Sequence, residues 1–225
     1  MKQLSPRVAT ALRLAEIPPS KRGAARRARL SGPERELYFS ILRRFATSGR
    51  PSKVEVDEVA DRLGVDSERT LATLAREDLV HLGCDREIAV AYPFSGRPTR
   101  HWVRFPDGHE TYAMCAIDAL GIAPMFEEPI EITSHDPWSG NEVNVRVTPE
   151  AVAEWRPKST VVVAGVIERE GDSCGSCCPV LNFFASRDNA KQWLAEHRGV
   201  RGEVISMREA ILAGRAVFAQ VLEEA

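Results

Sequence analysis

Tyr112-Ala113-Met114-Cys115-Ala116-Ile117-Asp118-Ala119-Leu120-Gly121-Ile122 is the stretch on which the reading of this chain turns. From Ala113 to Ile122 it is almost wholly apolar and far shorter than the roughly 18 residues that cross a bilayer, so it predicts a short helix buried in a globular core. One thiol and one carboxylic acid interrupt it, Cys115 and Asp118, three residues apart. On a helix such residues share a face, with Cβ atoms about 5–6 Å apart. A free cysteine alone reads as a small core hydrophobe. An aspartate alone reads as an acid satisfied by nearby backbone, since a buried acid costs several kcal/mol unless something offsets it. Both on one apolar face point to chemistry. Ionising both in a partly dry pocket costs on the order of 4 kcal/mol at about 4 Å and an effective dielectric near 20. The pair therefore shares one proton. A soft cation on the sulfur leaves that proton on the carboxyl group, which makes a thiolate ligand beside a general acid.

Downstream of the buried helix, strands are expected near 128–134 and 142–148, joined by a turn through Asp136-Pro137-Trp138-Ser139-Gly140. A Val-rich strand over Ser159–Ile167 belongs inside a sheet. Further strands over Val180–Ala185 and Val204–Ser206, a helix capped by Ser186 and a closing helix over Arg208–Leu222 complete this part. Upstream, Ser31 caps a helix carrying Leu37, Ile41, Leu42 and Phe45. Val54–Leu63, the turn Gly64-Val65-Asp66 and Ser67–Asp78 then read as a helix-turn-helix, and residues 87–93 and 101–105 as a β-hairpin behind it. The expected fold is α+β: a winged-helix-like N-terminal domain over 31–110, packed on a mixed or antiparallel sheet with helices over 111–225. Residues 1–30 form a basic extension and linker, with a weak helix near 6–15.

The 225 residues carry a net charge of −2, with 12 basic against 3 acidic residues in the first 50. Such a basic front end reads as nucleic-acid binding or as a solvated tail, and Pro18-Pro19 with the Lys21–Arg29 cluster favours the tail. In the second helix of the helix-turn-helix, Asp66, Glu68, Glu77 and Asp78 outnumber Arg69 and Arg76, which argues against nucleic acid as a partner. No apolar run suits a membrane, and Met1-Lys2-Gln3 opens no export signal, so a cytoplasmic protein is expected.

Five cysteines, Cys84, Cys115, Cys174, Cys177 and Cys178, are an odd number, with three crowded into five positions. Free, reduced thiols fit better than a disulfide framework. Cys174-x-x-Cys177 has the spacing of half a zinc site, which His81-x-x-Cys84 would complete from about 90 residues upstream. A structural zinc protein and a winged-helix, thiol-based metal sensor that binds DNA are thus alternatives to an enzyme.

The segment Tyr112–Leu120 closely resembles the catalytic helix of the organomercurial (alkylmercury) lyases. Cys178-Pro179-Val180-Leu181-Asn182-Phe183-Phe184-Ala185-Ser186 resembles that family's second catalytic segment. The likeness also takes in Thr133-Ser134-His135, the strand end at Val145–Pro149, and the Trp193 and C-terminal helices. It runs from about residue 32 to the end. It implies protonolysis of carbon–mercury bonds in alkyl or aryl mercury compounds, giving a hydrocarbon and Hg(II), with residues 111–225 as the catalytic domain. The family's two cysteines and one aspartate map onto Cys115, Cys178 and Asp118, which would also hold the mercury. Cys178 is preferred to Cys177 because it keeps the family's interval to Phe183-Phe184. Cys177 and Cys174 are candidate auxiliary ligands, and Cys84 reads as structural. No organic cofactor is implied. Hg(II) is the bound product, and small thiols or a mercuric reductase accept it.

Overall fold

The described parts of the basic N-terminal segment pack onto the core. A computed structural model describes residues 6–14, 23–167 and 177–218. Helix α1 (Pro6–Leu14) places Val8, Ala11 and Leu12 at the i, i+3, i+4 spacing of one apolar face, and all three are buried. After α2 (Gly23–Arg27), Arg26 pairs with Asp78 at 2.8 Å, and Arg27 has no exposed surface. The solvated tail expected from the charge run is thus corrected over these residues. Charge counted along the chain says nothing of an apolar face or of acids that lie far away in sequence.

Helix α3 (Gly32–Ser48) begins at Ser31, whose hydroxyl accepts from the Glu34 amide while the Glu34 carboxylate accepts from the Ser31 amide at 2.8 Å. Ser52 and Glu55 repeat this capping box at the start of α4 (Lys53–Leu63), and Asp66 caps α5 (Ser67–Arg76). Between α4 and α5, Gly64 takes φ 69°, a left-handed conformation that glycine adopts without a Cβ penalty. Leu37, Ile41, Leu42 and Phe45 of α3 and Leu74 of α5 point into the core, as their spacing predicts.

An eight-stranded antiparallel sheet follows, formed by β1 (Val80–Leu82), β2 (Ile88–Ala91), β3 (Phe94–Ser95), β4 (His101–Arg104), β5 (Glu110–Ala113), β6 (Ile130–His135), β7 (Glu142–Val147) and β8 (Ala153–Arg156). Its order is β1-β2-β3-β5-β4-β6-β7-β8. The hairpin expected between residues 87–93 and 101–105 does not form. Strand β2 pairs with β1 and β3, while β4 lies between β5 and β6. The short β3, anchored by fully buried Phe94, takes the place beside β2. One continuous sheet therefore crosses residues 110–111.

The apolar helix is α6 (Ala116–Phe126), buried along nearly its whole length. It starts later than the Ala113 expected, because β5 runs on to Ala113 and Cys115 becomes the N-cap. A second sheet has order β10-β9-β11, with the Val-rich β9 (Val161–Ile167) between β10 (Phe183–Phe184) and β11 (Val200–Ser206). The strand expected over Val180–Ala185 shrinks to β10 because residues 177–180 form a turn, whereas the last strand reaches back to Val200. Ser186 caps α7 (Arg187–Glu196) as expected, and α8 (Met207–Phe218) closes the described chain. Helix α8 lies close on α6. A Cβ on Gly214 would stand 2.9 Å from the Ile117 carbonyl oxygen and 3.0 Å from the Gly121 amide nitrogen. The fold is α+β with antiparallel sheets. Among the described residues no helix is long and apolar enough to cross a membrane.

Candidate active site

Two backbone segments distant in sequence meet at the start of α6. The Ala116 amide donates to the Leu181 carbonyl at 2.8 Å, which ties the helix start to the segment that follows Cys178. That segment is held in a tight turn. The Val180 and Leu181 amides both donate to the Cys177 carbonyl, at 2.9 and 3.1 Å, and Asn182 Nδ2 donates to the Pro179 carbonyl at 2.7 Å. Behind the turn lies neutral His101, its imidazole pushed down to about 3 by burial and its Nδ1 3.0 Å from Ser134 Oγ. Asp136, in the turn predicted between β6 and β7, accepts from the Ala185 amide at 2.9 Å and from Asn189 Nδ2 at 2.7 Å. It thereby pins β10 and α7 to the larger sheet.

These constraints bring Cys115, Asp118 and Cys178 together, with Sγ and carboxylate atoms all within 4.8 Å of one another. All three side chains are buried, at 1%, 6% and 6% exposure. Cys115 Sγ accepts from the Asp118 amide at 3.4 Å, so the thiol caps the helix in which Asp118 stands at the third position. Both groups thus sit at the positive end of the helix dipole. Cys178 Sγ lies 3.9 Å from Asp118 Oδ2 and 3.9 Å from the Tyr92 hydroxyl.

Burial dominates the electrostatics. It pushes the Asp118 carboxyl up to about 7, against the lowering pull of Cys115, Arg26 and Cys178. It also pushes the Cys115 thiol up to about 12. Cys178 is raised as well, first by its hydrogen bond with Cys115 and then by burial. The resting site therefore holds two thiols beside a carboxyl group that exchanges its proton near neutral pH. Soft sulfur ligands flanking an acid of this kind suit a soft metal centre bound to a group that must leave with a proton.

The other candidate ligands are placed differently. Cys177 is buried beside Cys178, and its thiol is raised first by the hydrogen bond with that neighbour. Cys174 lies outside the described residues. Cys84 is exposed and free, and His81 Nε2 lies 2.8 Å from Asp78 Oδ1. Among the described residues, Cys115, Asp118 and Cys178 are the one group of three or more His, Cys, Asp or Glu side chains gathered closely enough to hold a metal. Sequence reasoning missed Tyr92, which reaches the site only through the pairing of β2, β3 and β5.

Comparison with known proteins assigns the chain to a family. The sequence model of the family MerB, alkylmercury lyase, matches residues 94–219. An alkylmercury lyase of Pseudomonas putida is 30% identical over 189 residues, covering 84% of this chain and 85% of the relative. That of Staphylococcus epidermidis is 30% identical over 190 residues, covering 84% of each. The crystal structure of the mercury-bound form of MerB2 superposes with a TM-score of 0.70, covering 87% of this chain and 96% of that one; at 20% identity the likeness is one of fold. The family model spans both sulfurs and the acid, and the curated relatives match most of the chain: it belongs to the alkylmercury lyase family.

Proposed function

We propose that this protein cleaves carbon–mercury bonds by protonolysis, with Cys115 and Cys178 as the mercury ligands and Asp118 as the proton donor. The observation that carries the reading is the buried convergence of two sulfurs and one carboxyl group within 4.8 Å. An organomercury compound R–Hg–X meets the first thiol, which forms a sulfur–mercury bond while its proton leaves with X. The second thiol then bonds to mercury, and Asp118 takes up its proton. Two sulfurs on mercury raise the electron density at the carbon, and the Asp118 carboxyl protonates it as the carbon–mercury bond breaks. The products are R–H and Hg(II) on two thiolates. Two external thiols then displace Hg(II) and return both cysteines to the thiol form.

Each group suits its part. A carboxyl raised to about 7 is partly ionised near neutral pH, so it takes up the thiol's proton and still gives it up to carbon. Thiols kept protonated by burial become thiolates only as mercury replaces the proton, so the dry pocket never holds three anions. The sequence balances with these side chains and external thiols and draws on no organic cofactor. Cys177, buried next to Cys178, is the proposed first receiver of Hg(II) on its way to a small thiol or a mercuric reductase. Cys84, Cys115, Cys177 and Cys178 are free thiols, which suit a reducing cytoplasm.

Release of benzene from phenylmercury with excess small thiol tests the proposal. The wild-type protein is expected to release it with turnover, and Cys115→Ser, Cys178→Ser and Asp118→Ala are each expected to lose at least about 100-fold in rate. A wild-type protein that releases no benzene overturns the function. Full turnover in all three variants overturns the assignment of the residues.

A further inference from the structure

Tyr92 lies outside the two catalytic segments of the resemblance, yet its hydroxyl oxygen is 3.9 Å from Cys178 Sγ and the residue is only 6% exposed. It is held from several sides. Tyr38 Oη donates to the Tyr92 carbonyl at 2.8 Å, the Tyr92 amide donates to the Leu79 carbonyl at 3.1 Å, and the ring meets His81 edge-on with centroids 5.6 Å apart. The Pro93 carbonyl accepts from the Met114 amide at 3.0 Å, one residue before Cys115. A two-residue segment thus touches one sulfur through a side chain and braces the backbone beside the other.

We propose that Tyr92 takes part in the reaction, its phenol O–H donating a hydrogen bond to the Cys178 sulfur once that sulfur carries mercury. The inference rests on the protonolysis proposed above. In the resting protein the Cys178 thiol is the donor, with the Tyr92 oxygen and Asp118 Oδ2 as acceptors at equal distance. Bound to mercury, the sulfur has no hydrogen and only accepts. Asp118, having protonated the carbon, is then a carboxylate and also only accepts. Of these two neighbours of the sulfur, Tyr92 alone carries a hydroxyl hydrogen. The phenol keeps its proton throughout, so the balance of the reaction is unchanged. Its contribution is greatest when the sulfur is most electron-rich and faces the newly formed carboxylate, where a charge-assisted hydrogen bond is strongest.

The test is Tyr92→Phe, which removes one oxygen and keeps the ring. Turnover of phenylmercury is expected to fall about tenfold with KM changed by no more than about twofold, the pattern of an interaction made after substrate binds. In parallel, one equivalent of Hg(II) is added to each protein and the ultraviolet sulfur-to-mercury charge-transfer band is compared. Loss of a donor on the sulfur is expected to move the band to lower energy, which a merely structural role of the ring would not do. An unmoved band in Tyr92→Phe overturns the proposal whatever the rate, and so does a moved band with unslowed turnover. If Tyr92→Phe does not fold, fluorine NMR of wild-type protein labelled with 3-fluorotyrosine decides. The chain has three tyrosines, and Tyr38→Phe and Tyr112→Phe assign the Tyr92 signal by elimination. A Tyr92 signal that shifts on adding Hg(II) supports the proposal, and one that stays overturns it. The Hg(II) readouts need no turnover, so a failure of the lyase reading is seen separately, as absence of benzene from the wild-type protein.

Discussion

Replacing Asp118 by asparagine is expected to make the resting protein more stable, by an amount that grows with pH. The Asp118 carboxyl titrates at about 7 in the folded chain, against 3.8 for an ordinary aspartate. Between those values the folded chain holds a proton that the unfolded chain has lost, so wild-type stability falls as pH rises. Below the ordinary value the penalty is absent, and above about 7 it is complete, at about 4 kcal/mol. Asparagine has nearly the same shape and no proton to lose, so its cost in the pocket does not depend on pH. Urea unfolding of wild-type and Asp118→Asn protein in steps from about pH 4 to about pH 8 measures the difference directly. The gap in favour of the variant is expected to open through that window and then level off. Cys115, raised to about 12, stays protonated across the range and leaves the titration to the carboxyl group. A gap independent of pH, or a wild-type protein that gains stability relative to the variant as pH rises, would refute the argument that burial outweighs Arg26 and the two thiols at this site.

Asp136 gives the opposite case, because hydrogen bonds from Asn189 and from the Ala185, Trp138 and Ser139 amides outweigh burial and lower its carboxyl. Asp136→Asn turns a donor toward donors and is expected to cost about 3 kcal/mol near neutral pH by urea unfolding. Asp136's contribution should vanish as the pH falls below the ordinary carboxylate range, and a variant as stable as wild type near neutral pH would refute this role. Gly214→Ala forces a methyl group against the Ile117 carbonyl and the Gly121 amide, both within 3.0 Å of where it would sit. It is expected to cost about 1–3 kcal/mol by parting α6 from α8, and an unchanged melting temperature would show that the helices part freely.

Local chemistry carried most of the helices. The Ser31 and Ser52 boxes, the left-handed Gly64 and the Ser186 cap are patterns within four residues of one another, and a single strand of sequence is enough to read them. The site was legible to the extent that Cys115 and Asp118 are three apart in an apolar run, and that the Cys178 segment resembles a known one. The start of α6 was not read correctly. Apolar residues serve equally at the end of a buried strand and in a buried helix, so the change from β5 to α6 leaves no mark in hydrophobicity. Cys115 followed by Asp118 could have marked it, as a sulfur version of the cap-and-acid pattern seen at Ser31 and Glu34. Strand order was beyond local reading: β3 has two residues, and its place beside β2 depends on partners more than 15 residues away. Arg26 likewise finds Asp78 across 52 residues, which no tally of local charge reveals.

The cap at Cys115 carries a cost of its own. Sulfur is a weak acceptor, and a serine hydroxyl in its place would hold the Asp118 amide more firmly and strengthen the first turn of α6. That oxygen would have little affinity for mercury. At the position where local folding asks for an alcohol, the chain carries a thiol, so a steadier helix and the proposed mercury chemistry pull on one atom in opposite directions. With Cys115 as the proposed mercury ligand, a lineage that drifts toward stability at residue 115 gives up the reaction while keeping a well-folded protein.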